Sequence, residues 1–146
     1  MVHYLFNFSD GDREQASLLL QARMWGIDRQ ERFRDALAPG DLALIYVPAP
    51  EGEFIGSAEL ATAVRDWTPS EAEAFPGDSP CGVLLSHVEE WDPPVPMATV
   101  VQRIDPTASN PLVQQNAAAG FGTGVVRITG DEYKNALDLS REPRGT

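Results

Sequence analysis

The chain has 146 residues, 42% of them hydrophobic and 23% charged, which is enough for one domain whose core needs no covalent staples. Its 22 acidic side chains outnumber 11 basic ones and leave a net charge of −11. Affinity for bare duplex grows with the number of phosphates neutralised, so this balance argues against a general nucleic-acid coat protein, while for a reader of one base what matters is the local field.

Residues 2–8 are rich in β-formers and alternate loosely, which predicts a first strand. Ser9-Asp10-Gly11-Asp12 carries turn and N-cap chemistry, and residues 13–23, with Leu18, Leu19, Leu20 and Ala22, read as a helix. Gly26 is expected to break that helix. Residues 29–37 are expected to form a second, short helix capped near Asp28, with Phe33 and Leu37 facing inward. The chain is organised around residues 39–65. Gly40-Asp41 opens a strand over 42–47, Pro48, Pro50 and Gly52 turn the chain, and a second strand over 54–64 places Phe54, Gly56, Ala58 and Leu60 on one face. A hairpin of this kind is not stable alone, so other segments must cover it or extend its sheet.

Beyond it the chain turns polar. Thr68-Pro69-Ser70-Glu71 starts a short helix that Phe75-Pro76-Gly77 ends, and Trp67 and Phe75 are the large aromatics of this loop. Residues 80–88 read as a strand, and 89–96 as a proline-rich surface connection with Trp91 clamped against it. Short helices over 97–104 and 112–119 follow, the latter stopped by Gly120. A glycine-broken strand over 121–129 and a last helix to residue 139 complete the pattern. Residues 1–139 thus make a single domain, with 140–146 a frayed tail. Five or six strands interrupted by short helices, without regular βαβ alternation, predict an α+β fold: a small curved or closed sheet with flanking helices.

Dedicated catalytic chemistry is not visible. His3 and His87 lack zinc-site spacing, no phosphate-binding or nucleophile-elbow motif is present, and no metal or cofactor is expected. Cys81 has no partner for a disulfide. Cys81 and His87, six residues apart on one strand, would lie ~20 Å from each other, too far for proton transfer. No run reaches the ~20 apolar residues of a membrane span and the start lacks a signal-peptide layout, so the expected location is the cytoplasm, with no membrane partner. Arg23, Arg29, Arg32 and Arg34 lie within twelve residues, interleaved with Asp28, Glu31 and Asp35; a solvated face of mixed ion pairs is the plain reading of that run.

The order of features resembles the EVE and YTH branch of the PUA-like superfamily. A first strand and helix lead to Met24-Trp25-Gly26, then an apolar strand, then Gly56-Ser57-Ala58-Glu59-Leu60; late in the chain, residues 120–129 and a helix with Tyr133 resemble the closing strand of EVE domains. The resemblance implies a PUA-like barrel whose concave face holds one modified nucleobase: N6-methyladenosine in RNA for YTH domains, and 5-methylcytosine or 5-hydroxymethylcytosine in DNA for EVE domains. Protein partners in a restriction or defence system are implied in the same way. An extruded base presents a π-face for aromatic stacking and an edge for hydrogen bonding.

Carried over residue by residue, Trp25 matches the pocket tryptophan. Asn7, Phe8 and Ser9 match the strip that touches the base, and Trp67 or Phe75 stands where a second cage aromatic is expected. Arg23, Arg29 and Arg32 are candidates for phosphate contact. Gly26-Ile27-Asp28 replaces the Cys-Ser-Thr type run of YTH domains, which weakens an N6-methyladenosine assignment. The plain alternative for Trp25, Phe6 and Phe8 is core packing. Two rival functions stand beside the reader. A PUA-like amidohydrolase on modified nucleosides would need a pocket lysine, and the chain has only Lys134. An acidic partner-binding module would use Trp67, Phe75 and Trp91 as an exposed patch.

Overall fold

A computed structural model describes residues 2–8, 13–31, 33–47, 52–77, 79–103 and 124–142. In chain order these form β1 (His3–Asn7), α1 (Arg13–Ala22), β2 (Met24–Gly26), β3 (Leu42–Val47), β4 (Glu53–Leu60), β5 (Arg65–Asp66), α2 (Pro69–Ala74), β6 (Cys81–Pro96), α3 (Met97–Arg103), β7 (Val125–Ile128) and α4 (Gly130–Arg141). The strands make one mixed sheet in the order β2-β6-β4-β3-β1-β7, with β5 also paired to β6. Among the described strands only β1 and β3 run parallel, His3 opposite Leu42 through Asn7 opposite Tyr46; the other pairs are antiparallel.

The sheet curls. In the strand order β2 and β1 are four steps apart, which on a flat sheet would separate them by ~19 Å. Yet the ring of Trp25 on β2 lies 6.0 Å from that of Phe6 on β1, centroid to centroid. The two regions of the sheet therefore bend toward each other around a common interior. Tyr4, Phe6, Ala43, Ile45, Val47, Ala58, Leu60, Val83 and Leu85 fill that interior together with Leu19 and Leu20 of α1. On the other face Leu5, Leu44, Tyr46, Phe54, Val126 and Ile128 pack beneath Met97 and Val100 of α3 and Tyr133, Ala136 and Leu139 of α4. Alternation along β1 and β3 explains the split, with odd and even positions serving different cores.

Bending requires the backbone to come close. Gly56 is one such point: a Cβ there would stand 2.5 Å from the Glu89 carbonyl oxygen, and the β4–β6 register shifts on either side of Gly56 and Ser57. Gly82 is the other. Its Cβ would collide with the Trp25 carbonyl oxygen and lie 2.7 Å from Cζ2 of Trp67.

Several sequence expectations change. In place of the helix expected over 29–37, residues 29–30 and 33–36 form turns. The Asp28 carboxylate accepts from Gln30 N at 2.8 Å and the Glu31 carboxylate from Phe33 N at 2.9 Å, so side chains capture the N–H groups that a helix would use. The first helix ends at Ala22 with Arg23 in the left-handed region, φ 59°, and Gly26 lies in β2, not at a helix end. The strand expected over 54–64 stops at Leu60, and Phe54 does not share a face with Ala58 and Leu60: the irregularity between Phe54 and Gly56 puts Phe54 in the outer core and the other two in the interior. Residues 89–96 are the second half of the 16-residue β6 and not a surface connection. The pairing passes from Glu90 opposite Gly56 to Val95 opposite Phe54, so Pro93 and Pro94 fall where no ladder position needs their missing N–H. Trp91, in the same span, is buried in the outer core and is not a surface aromatic. The last helix continues through Ser140 to Arg141. The helix expected over 112–119 and the start of the strand over 121–129 lie outside the described residues.

Both later helices with described caps start on a capping box. Thr68 and Glu71 cap α2 reciprocally, and Thr129 and Glu132 do the same for α4. The Glu71 carboxylate also takes two bonds from the Arg65 guanidinium, both 2.6 Å, which with the Thr68 N–H hold its carboxyl down from the ordinary 4.5 to about 2.

Two outcomes follow. Gly82→Ala should lower stability by about 1–3 kcal/mol through overpacking against a backbone oxygen and an indole, seen as an earlier urea midpoint. Because the folded Glu71 carboxyl titrates below its unfolded value, the stabilisation it supplies is complete above 4.5 and is lost as pH falls toward about 2. Glu71→Gln should therefore flatten the acid limb of the stability profile over that window, measured by urea unfolding at stepped pH.

Candidate functional site

The junction of β1 and β2 brings together Trp25 and Phe8, two of the aromatic residues that the sequence singled out, with Phe6. Trp25 is fixed opposite Val83 by the β2–β6 ladder. From β1, Phe6 lies nearly parallel to its indole, at 26°, while Phe8 meets it at 65° with centroids 5.6 Å apart. The backbone N–H of Phe8 donates to the Tyr46 carbonyl at 2.8 Å, carrying the β1–β3 association one residue past the strand. Trp25 is 4% exposed, Phe6 is fully buried and Phe8 is half-buried.

Asn7 lies between Phe6 and Phe8, and both of those touch Trp25. Alternation therefore sends its side chain to the opposite face, the side of Leu5 and its ladder partner Tyr46. There the Asn7 backbone N–H and Nδ2 both donate to the Gly124 carbonyl, at 2.9 and 3.2 Å. Oδ1 of Asn7 is buried and has no protein partner among the described residues. Burial pushes the neighbouring Tyr46 phenol up from its ordinary 10.0.

Glu31 completes this corner. One carboxylate oxygen accepts from Phe33 N, and the other accepts from Val125 N at 2.7 Å, so the turn after β2 is strapped to the start of β7. Gly124 has φ +87°, and a Cβ there would collide with that same carboxylate oxygen. Sequence reasoning placed Glu31 only among the acids of an arginine-rich run. Its partner lies 94 positions away, and no local signal announces it.

Trp67 and Phe75 are brought together, 5.0 Å between centroids, but not beside the Trp25 ring. They cover the paired glycines Gly26 and Gly82, the face of β2 from which Trp25 points away. The Trp67 indole N–H donates to the Ser79 carbonyl at 3.0 Å. Arg23 is exposed at the entry to β2; Arg29 is exposed and pairs with Asp66 at 3.2 Å. Ser9 and Arg32 lie outside the described residues.

Trp67, Phe75 and Trp91 are all buried and form no exposed aromatic patch. Lys134 is exposed on α4, which covers the outer face of the sheet. The Cys81 thiol donates to the Ile27 carbonyl at 3.1 Å, while His87 is exposed beside Glu59. Among the described residues no group of three or more His, Cys, Asp or Glu is placed to hold a metal ion, and no helix is long and apolar enough to cross a membrane.

No family model and no curated protein matches this chain. Solved structures do. Human THYN1, in a crystal structure with DNA containing 5-methylcytosine, superposes with a TM-score of 0.66 at 17% identity, over 99% of this chain and 100% of that one. The Agrobacterium tumefaciens protein Atu2648 superposes with a TM-score of 0.63 at 18% identity, over 97% and 94%. The YTH domain of the Zygosaccharomyces rouxii MRB1 protein, in complex with N6-methyladenosine RNA, gives 0.60 at 14%, over 97% and 89%. What these proteins share with this chain is architecture, and its curled mixed sheet with flanking short helices is the PUA-like fold of EVE-type proteins and YTH domains.

Proposed function

We propose that this protein is a noncatalytic reader of a modified, extruded nucleobase. The observation that carries the reading is the Trp25 indole, held at the junction of β1 and β2 with Phe8 at its side, in a fold shared with proteins solved on 5-methylcytosine DNA and N6-methyladenosine RNA. Trp25 supplies the stacking surface, worth about 1–3 kcal/mol for one base. A 5-methyl or N6-methyl group adds only apolar contact, so the shape of the space around the indole has to supply most of the discrimination. The finer assignment we favour is 5-methylcytosine or 5-hydroxymethylcytosine in DNA, because the run after Trp25 departs from the YTH pattern.

In this reading Asn7 shapes the mouth through the Gly124 carbonyl, with its side chain on the far face of β1, and Trp67 and Phe75 stiffen the β2–β6 edge from behind. Arg23 and Arg29 supply local positive charge on an otherwise acidic surface. Arg29 must exchange Asp66 for a phosphate, a small change for an exposed pair.

A titration against matched DNA and RNA oligonucleotides containing cytosine, 5-methylcytosine, 5-hydroxymethylcytosine, adenine or N6-methyladenine tests the reading. One modified base should be preferred over its plain counterpart at both low and moderate salt. Trp25→Ala, folded by circular dichroism, should bind it roughly 5- to 150-fold more weakly. Equal binding across the set, or by parent and variant, overturns the proposal. Arg23→Ala and Arg29→Ala should weaken binding of all oligonucleotides alike and reduce the salt slope by about one each, read from affinities at stepped ionic strength.

A further inference from the structure

The stacking surface assigned to Trp25 is covered. At 4% exposure its indole has no face open to a base, so the site as it stands is closed. Phe6 and Phe8 both lie against the ring, and they differ in freedom. Phe6 is fully buried, sits inside β1 and is paired by backbone to Ile45 on one side and Val125 on the other. Phe8 lies one residue beyond the strand, is half-buried, and has its backbone N–H on Tyr46. Removing the Phe6 ring opens the core; turning the Phe8 ring about its own side-chain torsions does not. Half-buried rings reorient far faster than strands separate.

We infer that Phe8 is a self-occluding residue: its ring occupies the Trp25 surface on which a base stacks, and a planar base enters by displacing one aromatic contact with another. This rests on the reader reading given above and adds regulation to it. The closed state lowers the apparent affinity by the fraction of molecules that are open. It also selects for ligands with a full aromatic face, since a sugar or phosphate alone cannot replace the edge-on contact of Phe8 with the indole. A base within an intact duplex has no free face to offer and is excluded until extruded.

The test uses Phe8→Leu, which keeps an apolar side chain of similar reach and removes the ring. Two readouts are taken on the whole chain. The first needs no ligand: acrylamide quenching of tryptophan fluorescence. Trp91 lies in the outer core and Trp67 packs on Phe75, so the same comparison is made in a Trp25→Phe background, and quenching gained only where Trp25 is present reports its uncovering. The second is stopped-flow binding of the oligonucleotide preferred in the titration. Phe8→Leu should show greater quenching and bind about three- to tenfold tighter, with the gain in the association rate. Unchanged quenching overturns the inference, whatever the binding. Greater quenching with weaker binding, comparable to Trp25→Ala, also overturns it, since Phe8 is then a wall of the pocket. Greater quenching with no oligonucleotide bound by either protein upholds the covering contact and overturns the reader reading. Phe8→Tyr, which keeps the ring, should behave as the parent in both assays.

Discussion

The curl of the sheet depends on one contact, that between Trp25 and the β1 aromatics. Without it β2 is a three-residue strand at the edge of the sheet, laddered to β6, and the interior lies open along one side. Burying an aromatic side chain of this size is worth a few kcal/mol, and the rings on either side add the directional preference of aromatic pairs. The glycines are placed to permit this. Gly82 lets β6 pass against the Trp25 carbonyl, and Gly56 lets β4 and β6 close up where the sheet bends. The proposed binding surface and the closing contact of the sheet are the same indole, so occupancy of the site and the tightness of the fold are physically linked.

A second layer of control comes from carboxylates that bind backbone N–H groups, Glu71 doing so alongside its Arg65 partner. Asp28 and Glu31 divert N–H groups from a helix into turns; Asp41 accepts from Val2 N and Ala38 N; Glu71 and Glu132 cap helices. In a chain with twice as many acids as bases, these acids are structural ligands of the main chain. That use explains how so acidic a sequence folds without a matching set of ion pairs: the backbone supplies the positive ends of the dipoles.

Much of this was readable before the structure, and the exceptions have physical causes. β1, α1, the β3–β4 hairpin and the capped starts of α2 and α4 follow from local periodicity and cap chemistry, which depend only on near neighbours. The turns over 29–37 were missed because apolar spacing at Phe33 and Leu37 is the same in a helix and in successive turns; what decides is which acceptor captures each N–H. β6 was cut short because prolines usually end strands, and whether they do depends on the partner's register. For the proposed site, chain order drew attention to Trp25 and Phe8, which the structure places in contact. The placement of Trp67 and Phe75 behind β2, and of the Asn7 side chain beyond β1, follows from pleat and pairing, which no local pattern encodes.

The sheet topology has a consequence for synthesis. β1 is the earliest described strand, yet it lies between β3 and β7, the latest. As the chain leaves the ribosome, β1 can join β3 once residues 42–47 have emerged, but its second edge waits for residues 125–128, with the Glu31 strap to Val125 completed at the same moment. Until residues 125–128 emerge the nascent chain therefore carries an open, apolar strand edge, the geometry that recruits foreign strands. Protection of that edge arrives only with β7, the latest of the described strands, and a ribosome that stalls before it leaves the edge exposed.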